Sequence, residues 1–304
     1  MSAALTMEIA EQACNPIHMP HRPHANTEQA IVAEIHDALE ANRLDLPTLP
    51  DMVLKIQDLV SDPNVSVDKI ANLLSSDPAI SIHIIRTANS AALSNGVRVS
   101  NLRDAISRLG CRLLRSLVMN ITMTKLFLAR SPFVNQQLRE LLEHSREVAA
   151  ISYVLAQQQK HLKPEEALLA GLVHDIGALP LYLYADRLQS RLSQTTLEEL
   201  IRKFSASIGI KLLQSWNFPD ELVDVIADHK DLQRTSSSNL ADYVDVVTMA
   251  NLQMPETAKF VAWKNVLATE RLSYYASDCQ NFLSNHADRL AAAKGMLEVS
   301  TTRH

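Results

Sequence analysis

The stretch EEALLAGLVHDIGALPLY, residues 165–182, decides how the rest of the chain is read. It is apolar almost all round, the pattern of a helix buried on every side. Yet His174 and Asp175 stand side by side within it. A buried carboxylate is costly unless it is paired, hydrogen-bonded or bound to a metal. Its partners must come from elsewhere in the chain.

Outward from this stretch the signals are helical almost everywhere, and the fold expected is all-α. Pro164 with Glu165 and Glu166 suits a helix start, with proline in the first turn and acids complementing the dipole. Upstream, residues 27–43 and 46–63 each read as an amphipathic helix, and 66–91 as two short ones capped by Ser66 and by Asp77 before Pro78. Residues 102–127 form a long apolar helix interrupted at Gly110, and 131–159 another that opens at Ser131-Pro132. Downstream, Thr195 or Thr196 with Glu198 or Glu199 predicts a capping box, and Pro219 opens a further helix. The segment from 257 to 297 is again helical, with Tyr274, Tyr275 and Phe282 expected to pack. No strand pattern with hairpin turns and no fixed-period repeat is visible.

Composition agrees. The 304 residues are 47% hydrophobic but contain only 6 Gly and 5% aromatics, which favours helices over sheet. A net charge of −5 argues against nucleic acid as main partner, since phosphate binding needs clustered Lys and Arg. Cys14, Cys111 and Cys279 are odd in number and far apart, so a reducing compartment is expected. No signal peptide and no charge-free apolar run of about 18 residues appears, so the expectation is a cytoplasmic protein without a membrane partner. Residues 1–27, with Pro16, Pro20 and Pro23, read as a disordered tail despite Cys14, His18, His21 and His24.

The second half repeats the oddity of the opening stretch. His144 lies on the stripe of Leu141, Val148, Ile151 and Leu155, and Ser205 on that of Ile201, Ile208 and Leu212. His229 follows Leu222, Val225 and Ile226, and Asn251 follows Val244 and Val247. Any one of these needs only a carbonyl partner to be satisfied in a core. Five helices doing it together point to a shared polar cluster. Three imidazoles and one carboxylate would suit a divalent transition metal such as Fe, Mn, Zn or Ni.

In these residues the chain resembles the HDOD family, the HD-related output domains. The resemblance runs in order through LPTLPDMVLKIQDLVSDP, LLSSDPAISIHIIRTANSA, AISRLG, HSREVA, GLVHDIGALPLY, GIKLLQSWNFPDELVDVIADHK and VVTMAN, over residues 46–252. It implies a bacterial signalling module related to HD-superfamily metal phosphohydrolases, with an N-terminal helical lobe packed on an HD-like helical lobe. On that basis the lobes are expected at 28–130 and 131–256, with 257–304 forming C-terminal helices on the HD-like lobe and a disordered end. The resemblance also implies metal ligands at His144, His174, Asp175 and His229, with Ser205 and Asn251 lining the pocket.

The departures from the family's active pattern bear on function. Asn251 stands where active relatives have a last Asp, Ala178 where cyclic-dinucleotide phosphodiesterases have a Lys, and Lys230 where a second His is frequent. Asp245 and Asp242, six and nine residues before Asn251, lie about 120° and 180° around a helix from it and do not replace it. The expectation is therefore a non-catalytic regulatory module that works through contacts with signalling proteins. Its pocket would hold a metal, a nucleotide or only water. No receiver or other catalytic domain is visible in the remaining length. The alternative is a metal-dependent phosphohydrolase acting on a phosphodiester or nucleotide. A third reading, DNA binding by the helix pair in 66–91, is disfavoured because its second helix spends its isoleucines on packing and carries one Arg, Arg86.

Overall fold

The computed structural model describes residues 46–62, 64–90, 93, 96–187, 193–258 and 261–299, together with 33, 35, 37 and 38. The tail at 1–27, most of the helix expected at 27–43 and the last residues lie outside the described ones. Ile35 is helical and buried against Leu181, Leu200 and Ile208. Among the described residues every regular element is helical and none is a strand.

From residue 46 on, the described residues of the N-terminal lobe form four helices: α1 (Asp51–Ser61), α2 (Val67–Leu74), α3 (Pro78–Ala88) and α4 (Leu102–Leu126). Local chemistry sets their starts. The Ser66 hydroxyl accepts from the Lys69 N–H, and the Asp77 carboxylate accepts from Ala79 and Ile80, with Pro78 in the first turn. Within α4 the backbone breaks at Gly110, whose φ of 74° only glycine adopts at little cost.

The HD-like lobe follows with α5 (Pro132–Ala156), α6 (Pro164–Val173), α7 (Ala178–Arg187), α8 (Gln194–Ser215), α9 (Asp220–Asp228) and α10 (Tyr243–Leu252). Ser131 caps α5 as its sequence predicts. The cap of α8 differs from expectation: Ser193, not Thr195 or Thr196, accepts from the Thr196 N–H. The helix thus begins earlier than expected, and Thr195 and Thr196 lie within its first turn.

Short helices α11 (Pro255–Ala258), α12 (Leu267–Arg271), α13 (Ala276–Gln280) and α14 (Phe282–Asn285) lead to α15 (Ala287–Leu297), which packs along α5. Phe282 is fully buried and Tyr274 packs against it, but Tyr275 is 80% exposed, a correction to the expected packing set. Tyr275 precedes the first turn of α13 and turns its ring outward.

One hydrophobic core runs through both lobes, from Leu49 to Leu297. Polar links reinforce the seam. Arg115 pairs with Glu166, the Ser116 hydroxyl donates to the Glu165 carbonyl at 3.0 Å, and the Trp216 indole N–H donates to the Pro47 carbonyl at 3.0 Å. The span 164–187 is long and apolar enough to cross a membrane, yet 78% of its most apolar window is buried inside the fold, as in the core helix of a globular protein.

Candidate metal centre

The opening dipeptide sits where α6 ends. His174 is the C-cap residue of α6, and Asp175 begins the turn into α7. Two glycines bring the surrounding helices close enough to share a site. A Cβ on Gly171 would lie 2.5 Å from the Ala149 Cα, so α5 and α6 touch backbone to backbone and carry His144 to His174. A Cβ on Gly177 would lie 1.9 Å from the Ser205 carbonyl oxygen, so the turn after Asp175 rests directly on α8. His229 arrives from the far side as the C-cap residue of α9.

Four of the six expected residues meet. His144 Nε2 lies 3.3 Å from His174 Nε2, and ligand atoms of His144, His174 and Asp175 all fall within 4.8 Å of one another. Asp175 Oδ2 is 3.3 Å from His174 Nε2 and 4.0 Å from His144 Nε2, while Oδ1 is 3.6 Å from His229 Nε2. For the other two the structure shows different contacts. Ser205 contributes its backbone to the Gly177 contact. Asn251 is half-buried in the last turn of α10, where its carbonyl accepts from the Thr257 hydroxyl. Among the described residues no side-chain hydrogen bond joins either one to the cluster.

The ring orientations follow from the carbonyls they face. His174 Nδ1 is 2.7 Å from the Gly171 oxygen and His229 Nδ1 is 2.8 Å from the Val225 oxygen. A carbonyl only accepts, so each Nδ1 carries a hydrogen and each ring turns its Nε2 inward. His229 Nε2 is buried with no hydrogen-bond partner. Burial lowers the His229 pKa, opposed by the Asp175 carboxylate. Burial pushes Asp175 upward, but His174, His229 and Lys230 outweigh it and hold the carboxyl well below the usual range.

This donor set fits one divalent transition ion: the His144 and His174 nitrogens and an Asp175 oxygen lie together, and the orphaned buried Nε2 of His229 stands 3.6 Å from the same carboxylate. The carbonyl partners of the two Nδ1 atoms are the outer contacts that orient metal-binding histidines. Both α6 and α9 end at the cluster, and helix C-termini favour positive charge.

The acids near Asn251 are committed elsewhere. Asp242 caps α10 in a capping box with Asp245. The buried Asp245 carboxylate pairs with Arg271 and lies 3.7 Å from Arg234. One contact went unforeseen: Lys230 donates to Asp175 Oδ1 at 2.8 Å. Its signal was the lysine itself, directly after a histidine at a helix end.

Beside the cluster a groove of about 650 Å³ opens past His144 between α5 and α15. Glu140, Glu143, Glu147 and Glu298 line it, against Arg146 and Lys294. Lys294 pairs with Glu147 at 2.6 Å, and the Arg146 guanidinium donates to the neutral Asn120 and Thr124.

A family model, HDOD domain, matches residues 46–232. Among solved structures, a protein of Shewanella amazonensis SB2B provisionally assigned as a metal-dependent phosphohydrolase is 26% identical. It aligns over 90% of this chain and 100% of its own with a TM-score of 0.74. A protein of Marinobacter aquaeolei VT8 provisionally assigned to signal transduction is 20% identical over 89% of this chain and 66% of its own, with a TM-score of 0.61. An uncharacterized protein of Treponema pallidum (strain Nichols) is 23% identical over 237 residues, 73% of this chain and 44% of its own. This chain therefore spans less than half the length of that curated relative. With the model matched across both lobes, the chain belongs to the HDOD domain family.

Proposed function

We propose that the chain is a regulatory output module of bacterial signal transduction, acting in the cytoplasm through contacts with signalling proteins. Its His/Asp centre holds at most one divalent metal, on His144, His174, Asp175 and His229, and hydrolyses nothing. The observation that carries this reading is that, among the described residues, the cluster offers a metal a single carboxylate, Asp175. A bound metal would supply Lewis acidity and an activated water, and it needs carboxylate charge and an open position to do so. Asn251 is a neutral amide where active relatives have an acid, and Ala178 offers a phosphate no contact.

The groove supports the same reading. Four glutamates against two cations repel a phosphodiester rather than steer it toward His144. Nucleic acid is disfavoured for the same reason, and α3 buries Ile80, His83, Ile84 and Thr87 in the core rather than presenting them to a duplex, although Ile82, expected to pack, is 62% exposed.

The second reading, a metal-dependent phosphohydrolase, draws on the orphaned His229 Nε2 and on the likeness to the Shewanella protein. One assay separates the two. Purified protein supplied with Mn²⁺ or Zn²⁺ is incubated with a cyclic dinucleotide and with a model phosphodiester. The expected result is no turnover above a His174→Ala control. Metal-dependent turnover that this substitution abolishes overturns the first reading in favour of the second. A pull-down without a specific protein partner under any growth condition would overturn the contact-based role.

A further inference from the structure

We propose that the Lys230 ammonium is a built-in counter-cation of the centre, and that a divalent metal and Lys230 compete for the same carboxylate. The proposal goes beyond the regulatory reading and stands whether or not the centre turns over a substrate.

The geometry divides Asp175 between two customers. Oδ2 faces His174 and His144, at 3.3 and 4.0 Å, whereas Oδ1 faces His229 at 3.6 Å and accepts from Lys230 at 2.8 Å. Around this carboxylate the C-terminal ends of α6 and α9 add negative potential. Such an arrangement demands a cation. Lys230 supplies one positive charge from within the chain, as a compact ammonium on a flexible stem. It is also positioned to leave. Its side chain is 55% exposed, whereas His174 and His229 are buried, so the lysine can swing into water while the other groups stay fixed.

A metal held by His144, His174 and Asp175 would draw on the same carboxylate that Lys230 pairs with, and ammonium and ion at neighbouring oxygens would repel. Loading is therefore an exchange. The lysine would give up the carboxylate as metal bound, and its ammonium would turn out into water. The same exchange lets the centre persist without metal, because Asp175 keeps a charged partner in that state.

The test uses the full chain, stripped of metal, as wild type, Lys230→Met and Lys230→Gln. Co²⁺ binding is followed by visible absorption in competition with a chelator, and melting is recorded with and without Zn²⁺. Both variants should bind Co²⁺ about 10- to 100-fold more tightly than wild type, the range over which groups flanking a metal site tune affinity. Without metal they should melt below wild type, and Zn²⁺ should recover that loss by binding the folded state. A third measurement needs only wild type: amine labelling of Lys230, read by mass spectrometry, should speed up several-fold on Zn²⁺ saturation as the ammonium leaves its pair. Equal or weaker Co²⁺ affinity in the variants, no Co²⁺ binding in any of the three proteins, or a labelling rate indifferent to Zn²⁺ would each overturn the proposal. Hydrolysis in the phosphodiester assay would overturn the regulatory reading and leave this one standing.

Discussion

His83 makes the fold acid-sensitive by a calculable amount. It lies on the buried face of α3, 5% exposed, with Nε2 3.5 Å from the Thr87 hydroxyl oxygen. Burial, then the charges of Arg86 and Arg146, lower its pKa from 6.5 to about 4. The folded state therefore resists a proton that the unfolded chain accepts. Because the folded value is the lower one, this site costs nothing well above pH 6.5. Stability falls as pH drops from 6.5 towards 4, and the loss levels off below that. Fully expressed, the gap between 6.5 and about 4 is worth about 3 kcal/mol, and about 2 kcal/mol of it is lost between pH 7.5 and pH 5. Other groups titrate in the same range, so the quantity to compare is the difference between two profiles. Urea unfolding of wild type and His83→Leu at pH 7.5, 6 and 5 supplies it, with leucine chosen to sit beside Ile80 and Ile84. Wild type should lose about 2 kcal/mol more than the variant over that span. Parallel profiles would refute the argument, because His83 would then titrate alike in folded and unfolded chains.

Gly177→Ala sets a methyl carbon 1.9 Å from the Ser205 carbonyl and 2.6 Å from the Gly209 nitrogen, both backbone atoms that no rotamer change can move. It should cost about 3 kcal/mol in urea unfolding, and an unchanged midpoint would mean that the turn relaxes away from α8. Asp245→Ala removes the buried carboxylate that Arg271 and Arg234 share, so a loss of about 3 kcal/mol or more is expected by the same assay. A loss below 1 kcal/mol would show that solvent replaces the pair. Trp216→Phe keeps most of the ring but deletes the N–H donated to Pro47 across the lobe seam. It should cost about 1 kcal/mol, and a neutral result would place that bond in exchange with water.

Some features were legible because their chemistry is local or their cost is high. Ser66, Asp77 and Ser131 cap helices through backbone N–H groups two or three residues on, so the sequence window that names the cap also holds its partners. The four cluster residues were legible for the opposite reason. A polar group on an apolar stripe is expensive, so its presence on several helices at once reports a common partner that no single window contains. Periodicity gives a face, however, and not a distance. It set Asn251 on the stripe of Val244 and Val247 and Ser205 on that of Ile208 and Leu212, yet neither side chain hydrogen-bonds the cluster among the described residues. The cap at Ser193 and the outward turn of Tyr275 escaped because each depends on the path of the chain between helices. Gly177 against Ser205 escaped because a contact between backbones leaves no mark on side-chain pattern.

Lys230 shows where reading by resemblance falls short. Set against the family pattern, it counts as a histidine lost, and a lost ligand suggests a weakened centre. Its own chemistry says more. A lysine after a helix end is ordinarily a solvated charge, but here a mostly buried carboxylate 55 residues earlier in the chain lies within 2.8 Å of it. The substitution removes a donor and installs a cation at one step, and those two changes act in the same direction on metal affinity. An isolated loss of one ligand would leave Asp175 buried without a full counter-charge, a state that costs several kcal/mol. The ammonium prevents that, because Lys230 gives Asp175 a full counter-charge from within the chain.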